Sequence, residues 1–276
     1  LQGAVMAAGT QLGVLRALCA RKHAESPHLD RCTNCGVIEV LQGALDDANA
    51  LVDEGWLLRH SIQFHWHNDG YQSFDDFLAS LSSRKRKNIR KERQSLVDAE
   101  VQMLSLTGAA IKSHHIDDFY RFYMSTIDRK WGGAYLTREV FEILHATMAD
   151  RMLLVMAEYQ GRIIGGALNF IGETTLYGRN WGADLDIPNL HFEACYYQAI
   201  DYAIANKLSS VEAGAQGFHK VQRGYLPVKT WSVHWIAHSG FKQAVSRFLM
   251  AEERGIDQEA NHITMASPFK RGGTQD

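Results

Sequence analysis

From Met152 onward the sequence holds three apolar runs, LLVMAE, IIGGALNFI and TTLYGRN, cut by short turns around Gly161 and Gly172. Short apolar runs punctuated by glycine predict an antiparallel meander. A helix is predicted next, because Phe192, Cys195, Tyr196, Ala199, Ile200, Ala203 and Ile204 recur at three- and four-residue intervals. That spacing turns one helix face onto the sheet. A short strand, SVEAG, ends near Gly214. It is followed by a glycine-rich polar loop, the alternating strand TWSVHWIA, and a helix carrying Phe241, Ala244, Val245, Phe248 and Leu249. The order predicts an α+β fold with a mixed central sheet flanked by helices.

Upstream, LRHSIQFHWHNDGY at 58–71 places Ile62, Phe64 and Trp66 on one side and Gln63, His65 and His67 on the other. A strand with one wet, histidine-bearing face is expected. Ser73 and Asp76 form a capping box, and Phe74, Phe77, Leu78 and Leu81 follow at helix spacing. Two helical stretches are expected from Leu12 to Leu51, the second carrying Leu41, Ala44 and Leu51. The opening LQGAVMAAGTQLGVLRALCARK lacks a basic leader and starts at Leu1, so it reads as an internal helix with residues missing upstream.

A formal net charge of −2 argues against a chain that coats nucleic acid or anionic lipid over its whole surface. Any polyanion site must be local. No stretch approaches the roughly 20 apolar residues needed to span a bilayer. The 4 cysteines are too scattered for a disulfide framework, so a cytoplasmic setting is expected. No metal is expected either. His65 and His67 lack a third ligand at suitable spacing, and Cys19, His23, Cys32 and Cys35 do not have the spacing of a zinc finger.

Three segments carry the residue types that chemistry needs. RKRKNIRKER at 84–93 holds seven basic residues and one acidic one. On a helix Arg86, Arg90 and Arg93 share a face that can converge on phosphate oxygens, although a charge run also suits a solvated face. In YGRNWGA at 177–183, Tyr177, Arg179 and Trp181 are expected to point one way beside two glycines that admit a ligand. An arginine there calls for an anionic partner. The richest segment is EAGAQGFHKVQRGY at 212–225, which is a polar loop directly after a strand. In it Glu212 can accept a proton from an attacking amine and His219 can relay it. Lys220 or Arg223 can steady negative charge on a carbonyl or phosphate oxygen.

In this order, QFHWHNDGY, SFDDFLASLSSRKRKNIRKER, YGRNWGA, LHFEACYYQAIDYAI and EAGAQGFHKVQRGYLPVKT resemble the FemAB-like family of peptidoglycan biosynthesis or recognition proteins, within the acyl-CoA N-acyltransferase superfamily. The resemblance runs from about Gly55 to Glu252. It implies a Gcn5-like acyltransferase fold with one complete half, 96–276, and a partial second half, 1–95, ending in the basic helix. It also implies transfer of an acyl or aminoacyl group to an amine. The donor is open between acyl-CoA and aminoacyl-tRNA, and the acceptor is a small molecule or muropeptide-like precursor carrying phosphate. DLDIPNLHFEA stands where relatives with coenzyme A carry a glycine-rich turn, and the long helical arm of tRNA-dependent members is not found. On this reading Glu212, His219 and Lys220 are catalytic. Tyr177, Arg179, Trp181, Gln216, Arg223, Arg86, Arg90 and Arg93 bind substrate. The alternative is a non-catalytic module that recognises a phosphorylated cell-wall ligand.

Overall fold

The computed structural model describes residues 39–41, 45–128, 134 and 136–270. The elements in chain order are β1 (Glu39–Leu41), α1 (Leu45–Asp53), β2 (Leu57–His67), α2 (Phe74–Ser80), α3 (Ser83–Asp98), β3 (Gln102–Thr107), α4 (Ser113–Asp128), α5 (Arg138–Met148), β4 (Met152–Tyr159), β5 (Arg162–Ile171) and β6 (Thr175–Ala183). Next comes α6, which runs through Leu190–Phe192, a π-helical turn Glu193–Tyr197, and Gln198–Ala205. β7 (Ser210–Glu212), a 3₁₀ segment (Phe218–Arg223), β8 (Leu226–His234) and α7 (Ser239–Met265) complete the chain. Two compact units emerge. One takes its described residues from 39–63 and 228–264, the other from 64–227 and 265–270.

In the first unit the strand order is β1-β8-β2, with β1 antiparallel to β8. Ala48 and Leu51 of α1 pack with Val233, flanked by Val52, Trp56 and Leu58. Leu41, expected inside a helix, instead closes β1, and α1 starts only at Leu45. The expected helix upstream of it, and the Cys19, His23, Cys32 and Cys35 group, lie outside the described residues. α7 is tied down by Arg59 to Glu252, His60 to Glu253 and Lys229 to Asp257.

In the second unit the order is β2-β7-β6-β5-β4-β3, antiparallel throughout except for the parallel pair β6–β7. The meander therefore forms as expected, with β3 as a fourth strand ahead of it. Gln160 and Gly161 both have positive φ, the conformation a tight type I′ hairpin turn requires. Antiparallel β3 to β6, the helical crossover α6 and β7 parallel to β6 make up the Gcn5-like arrangement. Residue 95, the expected border between halves, lies inside α3 and within this unit, because Leu96 of α3 packs with Val101, Ala157, Ile164 and Leu190 in one core.

On the opposite sheet face lies α4. Its Phe119 meets the space over Gly166, and its Phe122 backbone sits against Gly182. Burial of Phe119 and Phe122, each 1% exposed or less, stabilises this contact by about 1.5–3 kcal/mol per ring. The capping box at α2 forms with a changed partner. Ser73 Oγ accepts from Asp76 N, while the Asp76 carboxylate reaches back to Gln72 N. Among the described residues, no helix is long and apolar enough to cross a membrane.

Candidate functional site

Strand register sets the site. β6 pairs with β7 as Thr175↔Ser210, Leu176↔Val211 and Tyr177↔Glu212, and β7 pairs with β2 as His67↔Ser210, Trp66↔Val211 and His65↔Glu212. Paired residues share a face and neighbours along a strand alternate. Leu176, Val211 and Trp66 therefore form a buried apolar row. Two polar rows, Thr175–Ser210–His67 and Tyr177–Glu212–His65, stand side by side on the other face. Within the first, Thr175 Oγ1 and Ser210 Oγ are 2.7 Å apart.

The second row is short of partners. Glu212 receives no hydrogen bond among the described residues. Its Oε2 lies 4.0 Å from His65 Nε2, which also has no hydrogen-bond partner among the described residues. Burial pushes the Glu212 carboxyl up to about 7. Burial, and then the neighbouring His67, push the His65 imidazole down to about 4, so it is neutral. The wet histidine face is thus only half right, since His65 is buried. The Tyr177 phenol is pushed up by burial and then by Glu212, so it holds its proton.

A bulge reshapes the end of the row. Across β5–β6 the pairs run Phe170↔Tyr177, Asn169↔Gly178, Leu168↔Asn180 and Ala167↔Trp181, which leaves Arg179 as the extra residue. A bulge of this kind re-aims the side chains beyond it. Asn180, not Trp181, therefore joins Tyr177 on the polar face, and its buried Oδ1 has no hydrogen-bond partner among the described residues. The expectation that Tyr177, Arg179 and Trp181 point one way is overturned by this one inserted residue. Trp181 lies on the α6 face against His191, and Arg179 is exposed in the bulge.

At the same point the parallel strands part. β7 ends at Glu212, whereas β6 continues to Ala183. The chain after Glu212 follows β2, with Ala213 N bonded to Phe64 O and Phe64 N to Gly214 O. Beyond Tyr177 no strand among the described residues pairs with that edge of β6. The result is a fork between parallel strands, with Glu212 at its base.

The loop after β7 is held from inside. Lys220 is 5% exposed, and its ammonium donates to the carbonyls of Ala213 and Gly214. Burial pushes it down to about 8. His219 Nε2 is 2.9 Å from Tyr196 Oη, and burial, with Arg223 and Lys220 nearby, lowers its pKa. Arg223 makes a two-point pair with Glu92, donates to His219 O, and lies 3.3 Å over the Phe192 ring. Tyr197 Oη also donates to Glu92. Gln216 is exposed near the loop tip. Lys220 thus turns back on the Ala213 and Gly214 carbonyls, His219 meets α6, and Arg223 meets α3 and α6, so the loop and the Tyr177 strand do not present one shared set of side chains.

The cations of α3 divide in two. Arg93 pairs with Glu193 and Asp201 and lies 4.4 Å over Phe74, while Arg90 pairs with Asp75. Lys85 bonds Gln222. Arg84, Arg86, Lys87 and Lys91 have no carboxylate partner among the described residues. The face expected from Arg86, Arg90 and Arg93 is therefore split by Arg93 turning inward onto α6. Sequence reasoning missed Asn180, Glu92, Glu193 and Asp201. Only Glu92 gave a signal, as the lone acid of the basic run. Among the described residues, no group of three or more His, Cys, Asp or Glu is placed to hold a metal.

The family model for peptidoglycan biosynthesis/recognition proteins of the FemAB-like type matches residues 20–271. No curated protein matches the chain. Among solved structures it is similar to L-PGS from Bacillus licheniformis, at 9% identity over 86% of this chain and 77% of that one, with a TM-score of 0.54. It is also similar to the C-terminal domain of a putative lysylphosphatidylglycerol synthetase from Agrobacterium fabrum, at 8% identity, 86% and 76% coverage and a TM-score of 0.56. A third is FemX, at 12% identity, 85% and 79% coverage and a TM-score of 0.52. At such identities the likeness is one of fold.

Proposed function

We propose that this chain, which belongs to the FemAB-like family, is an N-acyltransferase that moves an acyl or aminoacyl group from an activated donor to the amine of a cell-wall-type acceptor. The observation that carries this reading is Glu212. Its carboxyl is poised near neutrality, accepts no hydrogen bond from the described residues, and stands where β6 and β7 part. A general base works best when its pKa is near the working pH.

In the proposed reaction the acceptor amine attacks the donor carbonyl, forming the new C–N bond. Glu212 takes the amine proton, the donor C–O or C–S bond breaks, and the carboxyl returns the proton to the departing oxygen or sulfur. His65 and Tyr177, both uncharged, border the carboxylate without neutralising it. Peptide N–H groups where β6 and β7 part are the proposed donors for the developing oxyanion, which backbone groups stabilise well in a site shielded from water. Lys220 acts through the loop by holding the carbonyls of Ala213 and Gly214, and His219 and Arg223 fix that loop to α6 and α3. The donor, acyl-CoA or aminoacyl-tRNA, and the part played by the unpaired cations of α3 in binding its phosphates belong to the same proposal.

The test is transfer of label from acetyl-CoA and from aminoacyl-tRNA to a nucleotide-linked muropeptide, followed by mass spectrometry of the acceptor. Wild type should add the acyl group and Glu212→Gln should not. One feature favours a binding module instead: Lys220 and Arg223 are engaged internally, which leaves the row without a side-chain cation. Equal muropeptide binding by both proteins, with no transfer from either donor, would establish that second reading.

A further inference from the structure

Burying a polar atom without a hydrogen-bond partner is costly, and folded proteins rarely do it. His65 is only 7% exposed, and its Nε2 is such an atom among the described residues. Glu212 Oε2, 4.0 Å away, accepts no hydrogen bond either. At that separation the two atoms do not bond each other, yet both can reach one atom placed between them. Strand pairing fixes the spacing. His65 lies directly across from Glu212, and the ladder continues from Ala213 N to Phe64 O and from Gly214 O to Phe64 N. The Lys220 ammonium grips the Ala213 and Gly214 carbonyls just beyond. Burial, and then His67, hold the imidazole neutral, so one of its nitrogens carries a proton and the other accepts. The carboxylate only accepts. Burial raises the Glu212 carboxyl, and no described lysine or arginine pulls it back down. What the pair lacks is therefore a donor, and a donor with two hydrogens.

We propose, building on the transferase reading above, that His65 Nε2 and Glu212 Oε2 together hold the acceptor's nitrogen by two of its N–H bonds, which makes His65 the residue that selects a primary amine over a hydroxyl. This requires the His65 proton on Nδ1, so that Nε2 accepts. A nitrogen about 2.9 Å from both acceptors sees them at an angle of about 90°, close enough to the H–N–H angle for two sound hydrogen bonds. With two hydrogens turned toward the strands, the lone pair of the neutral amine points away from both acceptors, free to meet a donor carbonyl. A hydroxyl has one hydrogen to offer and leaves one acceptor unpaired, the mismatch by which polar sites refuse analogues. Asn180 Oδ1, a further buried acceptor without a partner among the described residues, lies on the same face and adds to its demand for donors.

Titration calorimetry tests this without requiring turnover. Two nucleotide-linked muropeptides are compared that differ at one position, a primary amine in one and a hydroxyl in the other. The wild type should bind the amine at least about tenfold more tightly. His65→Leu fills the space and removes the acceptor, and should shrink that preference by about fivefold. His65→Gln can return a carbonyl oxygen to the place of Nε2 and should recover much of it. ¹⁵N NMR of the wild type with the amine bound reads the tautomer directly and should show the His65 proton on Nδ1. A proton on Nε2 overturns the proposal, as does a wild type that binds neither compound or both alike, which would leave the gap to a bridging water. An undiminished preference in His65→Leu, or in His65→Gln together with an Nε2 proton should the leucine variant not fold, overturns it too. The two readings fail separately. Transfer that depends on Glu212 without a preference for the amine removes His65 from the site and keeps the transferase, whereas a His65-dependent preference without transfer from either donor keeps the amine cradle and removes the transferase.

Discussion

Tyr177 and Trp181, four residues apart on one strand, point to opposite faces of the sheet. An uninterrupted strand would put them on the same face. The bulge at Arg179 reverses the alternation, sends Trp181 to His191 of α6, and leaves Tyr177 beside Glu212. It also sits where the parallel pair ends, so one inserted residue both sorts the side chains and opens the fork.

Glu212→Gln keeps the shape of the side chain and removes the proposed base. Turnover should fall by about 10²–10⁴-fold, the usual worth of a positioned general base. In the wild type, kcat/KM should rise with pH to a plateau through an apparent pKa near 7. A Glu212→Gln enzyme with an unchanged rate or profile would remove Glu212 from the chemistry.

The same carboxyl makes a separate prediction for stability. Its pKa is raised from 4.5 in the unfolded chain to about 7 in the fold, so the folded state binds its proton more tightly. Its contribution is therefore fully present below pH 4.5 and is lost as pH rises through 7. Glu212→Gln should flatten this slope and make the protein more stable than wild type by about 1–3 kcal/mol at pH 8, read by urea denaturation. A carboxylate held at such an energetic disadvantage fits the proposed functional role better than an architectural one.

Much of the fold was legible because it rests on local patterns. The LLVMAE, IIGGALNFI and TTLYGRN runs, the glycine turns and the 192–204 periodicity each suffice to specify β4, β5, β6 and α6. The site was legible as residue types and not as geometry. Glu212, Tyr177 and Lys220 stood out, but whether Lys220 faces a substrate or the Ala213 carbonyl depends on how the loop folds back. The bulge at Arg179 left no mark that alternation counting could detect. Asp201 and Glu193 read as the polar side of an amphipathic helix, and their partner Arg93 lies about a hundred residues away in sequence.

Arg223 should act on stability before it acts on substrate. Its guanidinium meets Glu92, the His219 carbonyl and the Phe192 ring, and its side chain is 8% exposed. Arg223→Ala leaves Glu92 without its cation in a mostly buried setting and should cost about 2–4 kcal/mol in urea denaturation. Glu92→Ala should cost a similar amount, since Arg223 and Tyr197 both lose their acceptor. The double variant should cost clearly less than the sum, with a coupling of about 1–3 kcal/mol. Strict additivity would show that the two residues do not act as a pair.

Two glycines on β6 separate architecture from function. A Cβ at Gly182 would stand 2.1 Å from Phe122 O and 2.5 Å from Phe122 C, so it would strike the backbone of α4 itself. α4 cannot yield without unpacking Phe119 and Phe122, and Gly182→Ala should lose about 3 kcal/mol or more, with activity per folded molecule little changed at low temperature. At Gly178, on an exposed part of the strand, a Cβ would meet Glu212 O at 3.1 Å, Asn169 Oδ1 at 3.6 Å and Ala213 Cα at 3.9 Å. Of these, Glu212 O and Ala213 Cα belong to the end of β7 and the chain leaving it, across the gap from β6. Gly178→Ala should therefore cost under about 1 kcal/mol of stability, because the contacts are tight but not prohibitive and a strand favours Ala over Gly. It should nonetheless narrow the fork in which the donor is proposed to lie and lower turnover at least tenfold. Thermal melts and transfer assays on the two variants, run side by side, should show opposite ratios of stability loss to activity loss. If Gly178→Ala turned over at the wild-type rate, the donor would not pass between these strands.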